Sequence, residues 1–106
     1  MQITLIPMRR DDTLTLARRR DVLIINGEDY DFGKLAEGAM LPEAAIDCPY
    51  LVGPVCRGGG MVSLALILPH GRHAPHETLF PEVITVVADG PIPLPPYDAV
   101  EHSDEN

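Results

Sequence analysis

Near the amino terminus, apolar and polar residues alternate with period two. Gln2-Ile3-Thr4-Leu5-Ile6 sets Ile3 and Leu5 on one face and stops at Pro7, and Thr13-Leu14-Thr15-Leu16-Ala17 does the same with Leu14 and Leu16. Successive side chains of a strand point to opposite faces, so this spacing predicts two half-buried strands. The polar run Arg9-Arg10-Asp11-Asp12 between them reads as a turn. Next comes the aliphatic run Val22-Leu23-Ile24-Ile25, then Asn26-Gly27, then Glu28-Asp29-Tyr30-Asp31-Phe32. Asn-Gly between two strand-like runs predicts a hairpin, because a type I′ turn needs positive φ at both central residues. Tyr30 and Phe32 should share the buried face while Asp29 and Asp31 meet water.

Gly33–Pro42 is irregular, and Leu35 and Leu41 are expected to pin it to the core. Pro42-Glu43-Ala44-Ala45-Ile46 fits one helical turn with proline at its first position; Pro49 blocks anything longer. Tyr50–Cys56 and Met61–Leu68 predict a second hairpin around Gly58-Gly59-Gly60. Pro54 lacks a backbone donor, which places the first arm on an edge or gives it a bulge. The second arm is the most hydrophobic stretch and is expected at the sheet centre. Pro69–Pro81 reads as a loop, Val83–Val87 as the last strand, and Asp89-Gly90 as its close. Pro91, Pro93, Pro95 and Pro96 predict a stiff extended exit. Residues 98–106 hold four acids and only Ala99 and Val100 as aliphatics, too little apolar surface to offset the entropy of ordering.

The resulting expectation is an all-β domain over residues 1–90, a small antiparallel β-sandwich or open barrel of about seven strands with at most one short helical turn. Residues 91–106 form a proline-rich exit and an acidic, disordered tail. Composition narrows this further. The 106 residues are enough for one modest core. Aromatics are 5% and tryptophan is absent, so Leu, Ile and Val must build that core with help from Phe32, Phe80 and the tyrosines. The 11 prolines exclude long uninterrupted helices. No apolar stretch of signal-peptide or membrane-spanning length is present, which argues against signal-directed secretion and against a membrane span. Two cysteines are too few for a disulfide scaffold.

The net charge of −8 is uneven: residues 1–20 carry five arginines against two aspartates, and the remainder carries three basic against 14 acidic side chains. An acidic surface repels phosphate backbones, so nucleic acid is not an expected partner. Arg18-Arg19-Arg20 reads as a solvated turn.

Few clusters offer chemistry. His70, His73 and His76 fall three apart, with Glu77 beside the last. Imidazole and carboxylate suit zinc or nickel. Pro69, Gly71 and Pro75 oppose the helix that would align them, so the alternative is a polar surface loop. Cys48 and Cys56 lack the close spacing of a zinc knuckle and read as structural thiols. Asp31-Phe32-Gly33 matches a kinase magnesium motif, but the lysine strand and catalytic loop that must accompany it are missing. Arg57-Gly58-Gly59 is a lone triplet in a turn. No phosphate loop, dinucleotide fingerprint or nucleophile elbow is present. Asp29, Asp31, Asp47, Glu77 and Glu82 sit where solvated faces place carboxylates.

Several turns and strand ends carry a resemblance. They are Met1-Gln2-Ile3-Thr4-Leu5, Arg10-Asp11-Asp12-Thr13-Leu14, Ile25-Asn26-Gly27-Glu28 running into Asp31-Phe32, Leu35-Ala36-Glu37-Gly38-Ala39, Asp47-Cys48-Pro49-Tyr50 and Leu68-Pro69-His70-Gly71. Together they resemble small uncharacterised proteins encoded among the tail and virion genes of bacteriophages and prophages. The likeness spans most of residues 1–96 and implies a fold rather than a reaction. It implies a tail-associated or virion-assembly accessory protein acting by contact with itself or with another phage structural protein. Two alternatives stand beside it: a metal-binding module or metal-dependent enzyme using His70, His73 and His76, and a small ligand-binding β module.

Overall fold

A computed structural model describes residues 1–99. The chain is mostly strand, arranged as two sheets. The elements in order are β1 (Gln2–Arg9), β2 (Leu16–Arg19), β3 (Val22–Ile25), β4 (Glu28–Asp31), β5 (Met40–Leu41), a 3-10 turn (Glu43–Ala45), β6 (Leu51–Gly58), β7 (Met61–His70), α1 (His76–Leu79), β8 (Ile84–Thr85) and β9 (Gly90–Ile92). The first sheet has the order β5-β6-β7-β1-β8 and the second β4-β3-β2-β9. Among the described residues, no helix is long and apolar enough to cross a membrane.

Period-two patterning explains the packing. From Val62 to Leu68 of β7 the buried positions are Val62, Leu64, Leu66 and Leu68, while Ser63, Ala65 and Ile67 are only half-buried. Ile3 and Leu5 of β1, Leu51 and Val55 of β6, Leu16 of β2, Leu23 and Ile25 of β3, and Ile92 of β9 join them in one buried cluster. Ile3, Leu23 and Leu66 are fully enclosed. Each such side chain contributes about 1.5–3 kcal/mol relative to exposure, so the shared cluster is what joins the sheets.

Both predicted hairpins form. β3 and β4 pair from Val22↔Asp31 to Ile25↔Glu28, and Asn26 and Gly27 have φ of 50° and 84°. Tyr30 is half-buried, Phe32 buried, and Asp29 and Asp31 exposed. β6 and β7 pair around the glycine turn, with a register shift between Val52 and Cys56. That irregularity contains Pro54 and Gly53, whose φ is 78°; a missing donor and a left-handed residue both break a regular ladder. β7 is central in its sheet. Leu35 and Leu41 pack against the core as expected.

The structure departs from the sequence reading at several points. First, β1 runs parallel to β7, from Gln2↔Ser63 to Arg9↔His70, so the first sheet is mixed rather than wholly antiparallel. Side-chain periodicity is the same in either direction, and only the long connection from β1 through the second sheet permits the parallel crossover.

Second, two strands run through prolines. Arg10 donates its N–H to the His70 carbonyl. By alternation, even-numbered residues of β1 address β7, and Pro7 turns its missing donor to the other side. There β8 reaches only Gln2 and Ile3. Pro69 is equivalent: Ile67 donates to Tyr50 across the β6 side, beyond which β6 has no partner for Pro69.

Third, β2 starts at Leu16 rather than Thr13. The Asn26 amide captures this approach instead, accepting from Thr15 N (2.7 Å) and donating to the Thr13 carbonyl (3.0 Å). Fourth, a second helical turn exists, at α1.

Fifth, the domain does not close at Gly90. β9 pairs with β2 through Leu16↔Ile92, Ala17↔Pro91 and Arg18↔Gly90. Leu94 packs on the core, and Pro96, Tyr97 and Ala99 are hydrogen-bonded to the preceding chain. Asp98 and Ala99, the start of the segment 98–106 expected to be loose, are both bonded to His73, and the rest of that segment lies outside the described residues.

Candidate functional site

The three histidines meet three different environments. His70 ends β7, half-buried, with Nδ1 2.9 Å from the Gly71 carbonyl. His73 is exposed and held by its backbone: its N–H reaches Asp98 Oδ1 at 2.9 Å, and its carbonyl accepts from Ala99. His76 opens α1 and stacks on Phe80, with ring centroids 4.8 Å apart at 34°. Among the described residues, no three His, Cys, Asp or Glu side chains converge as a ligand group. Three-residue spacing aligns side chains only on a helix, and here it crosses from a strand end through a loop into a single turn. Cys48 and Cys56 are half-buried free thiols.

Two polar networks are built into the scaffold. Arg10 grips Asp12 through Nε (2.9 Å) and Nη2 (2.7 Å), and the Tyr50 hydroxyl donates to the same carboxylate at 2.7 Å. The guanidinium also lies 5.3 Å from the Tyr50 ring centre. These hydrogen bonds, that of Arg10 first, hold the Asp12 carboxyl below its ordinary range, and the Asp12 bond raises Tyr50. A neutral phenol locked onto an ionised carboxylate is poorly placed for proton transfer at neutral pH. Tyr30 is likewise pushed up, by burial first and then by the neighbouring Cys48 and Glu28, while its hydroxyl donates to Glu28 (3.3 Å) and the Asp47 carbonyl (3.2 Å). Both tyrosines border a small open groove of about 210 Å³.

The second network centres on Arg57, whose side chain is 14% exposed. It donates to the Leu35 carbonyl (2.6 Å) and the Phe32 carbonyl (3.0 Å) and lies 3.4 Å from Asp21. A nearby open groove of about 550 Å³ is bordered by Arg19, Arg20, Asp21 and Asp31. Several of its charges are already engaged: Arg19 pairs with Asp29 at 3.0 Å, Asp21 with Arg57, and Asp31 accepts from Gly33 N.

A third groove, of about 530 Å³, has a different character. Phe80, Val83, Ile84, Pro93 and Pro95 line it together with His76, Glu77 and Glu82. Phe80 is 68% exposed, contrary to its expected place in the core. Leu79, Val83 and Val87 are exposed with it, Val87 at 84%. Burial alternates here, with Ile84 and Val86 turned inward and Val83, Thr85 and Val87 outward. The segment thus has the period of a full strand, as the sequence predicts for Val83–Val87, yet only Ile84–Thr85 is assigned to β8. Sequence reasoning missed the surface because an aliphatic strand pattern does not reveal whether its second face is covered. The signal was present in the outward positions, Val83, Thr85 and Val87, which are β-branched rather than charged.

No protein-family model, curated protein or solved structure matches the chain.

Proposed function

We propose that this chain is a non-catalytic accessory protein of a bacteriophage or prophage tail, or of its assembly, acting by protein–protein contact. The observation that carries the contact reading is the exposed apolar groove of Phe80 and Val83 beside the edge strand β8, with Leu79 and Val87 exposed on either side of it in sequence. Single exposed aliphatics are ordinary, but a contiguous exposed patch with a polar rim is a common mark of an interaction surface. An exposed sheet edge adds a row of backbone donors and acceptors ready to pair. Covering both releases water from apolar surface, and that term drives most protein association. The phage setting is supported by the resemblance of the turn motifs. The ionisable networks, each closed on its own partners, favour scaffold roles over catalysis.

Co-sedimentation tests this reading. Induced cells carrying the native gene, or one encoding Phe80→Ser/Val87→Ser, are lysed, and tails and assembly intermediates are separated on gradients. The native chain is expected to travel with them, and the folded double variant to stay at the top. Native chain found only at the top would refute the proposal, as would equal travel of both forms.

A further inference from the structure

We infer that the surface formed by β8 and the Phe80 groove takes an extended, basic partner segment, adding as a strand with aliphatic or aromatic anchors flanked by Lys or Arg. The inference rests on the contact reading above and specifies the chemistry of the contact.

Backbone geometry argues for a strand. Met1 and Val86 exchange both hydrogen bonds, from the amino-terminal group to the Val86 carbonyl (3.0 Å) and from Val86 N to the Met1 carbonyl (2.7 Å). Val86, and by alternation Ile84, therefore address β1. Val83, Thr85 and Val87 aim their N–H and C=O groups the opposite way, where β8 ends the sheet. The same three side chains are exposed. An added strand would pair with those groups and lay alternate side chains beside Val83 and Phe80. Affinity in this mode comes from main-chain hydrogen bonds and specificity from side-chain pockets.

Charge selects the partner. From His73 onward the chain has no Lys or Arg, and it carries seven acids: Glu77, Glu82, Asp89, Asp98, Glu101, Asp104 and Glu105. Glu77 and Glu82 lie on the groove itself. The cationic residues lie toward the Val86 end instead, where Arg18 of β2 reaches the Val86 carbonyl (3.5 Å) and Asp89 accepts from Arg20 N in the turn that follows (2.8 Å). A second copy docking symmetrically presents the same patch to itself and sets like charges together, which is penalised. Lysine or arginine beside an apolar anchor meets complementary charge at the groove instead.

The test is a selection of random linear peptides on the immobilised full-length chain, followed by titration of recovered peptides against native and variant protein. Recovered peptides are expected to place Lys or Arg beside Val, Ile or Phe and to shift the amide resonances of residues 79–87. Phe80→Ser should weaken them about tenfold, as for one buried aromatic anchor. Glu77→Gln/Glu82→Gln should weaken them several-fold and flatten their salt dependence, a response expected of charge complementarity. Peptides that are uncharged or acidic and indifferent to the Glu→Gln changes would overturn the basic partner while leaving the contact reading in place. Recovery of no peptide, or of peptides insensitive to Phe80→Ser, would also overturn it, and the gradient experiment then decides the contact reading separately. A dimer of the native chain that Phe80→Ser dissolves would assign the surface to a second copy.

Discussion

Arg57 shows how single side chains join the two sheets. It stands on β6 of the first sheet and holds the Phe32 and Leu35 carbonyls just beyond β4 of the second, with Asp21 at its flank. Arg57→Met leaves the two carbonyls without their donor and should cost about 1–3 kcal/mol in urea unfolding. Arg57→Lys should recover little of this, because an ammonium cannot fork to two carbonyls from a planar frame. Gly27 makes a conformational test: at φ +84° an added Cβ meets no atom within 4 Å, so strain rather than crowding decides the outcome. Gly27→Val should lower stability by about 1–2 kcal/mol. An unchanged unfolding midpoint would count against the type I′ turn. Asp12 supplies a pH dependence. Its folded-state pKa is depressed, so its stabilisation is present above the unfolded value of 3.8 and fades as pH falls through the lower folded value. Unfolding midpoints of native protein and Asp12→Asn should therefore differ at neutral pH and converge in acid. A constant gap down to the acid limit would contradict the assigned network.

At the scale of elements, local pattern predicts strands well and their direction and ends poorly. Both hairpins were readable because their turn residues need left-handed backbone, which Asn26 and Gly27 adopt in one and Gly59 and Gly60 in the other. β1 and β7 extend past Pro7 and Pro69, since each proline turns its donorless nitrogen to a side where no residue of the neighbouring strand pairs with it. No residue pattern reveals that vacancy before the topology is known. Pro91–Pro96 misled in the opposite sense: the segment is extended, as its prolines require, but docked. Fully buried Thr78 donates its hydroxyl to the Pro96 carbonyl (2.6 Å), Gly71 N–H reaches the Tyr97 carbonyl (2.9 Å), and the Tyr97 hydroxyl donates to the Arg10 carbonyl. A Cβ at Gly71 would run into the Asp98 carboxylate. Thr78→Val and Gly71→Ala should each loosen this strap, and faster hydrogen exchange at Ala99 N–H than at the β7 amides would register it. Exchange unchanged at Ala99 in both variants would mean the strap is held elsewhere.

At the scale of the whole molecule, the core was largely legible and the candidate surface was not. Ile3, Leu5, Leu16, Leu23, Ile25, Leu64 and Leu66 fall where period two places them. Phe80 does not, because a lone aromatic between a helical turn and a proline has no neighbours that fix its face. The histidine spacing drew attention to the adjacent segment for a different reason, and the fold separates those side chains. What distinguishes the molecule is an exposed apolar groove at Phe80 and Val83, bordered by Glu77 and Glu82 beside the edge strand β8. The most direct test is the equilibrium unfolding midpoint of Phe80→Ser/Val87→Ser against the native chain. If this surface serves contact, the two midpoints should agree to within about 0.5 kcal/mol, the usual range for surface substitutions. A loss of about 2 kcal/mol or more, the range of core truncations, would show that these residues hold the fold together and are not free to hold a partner.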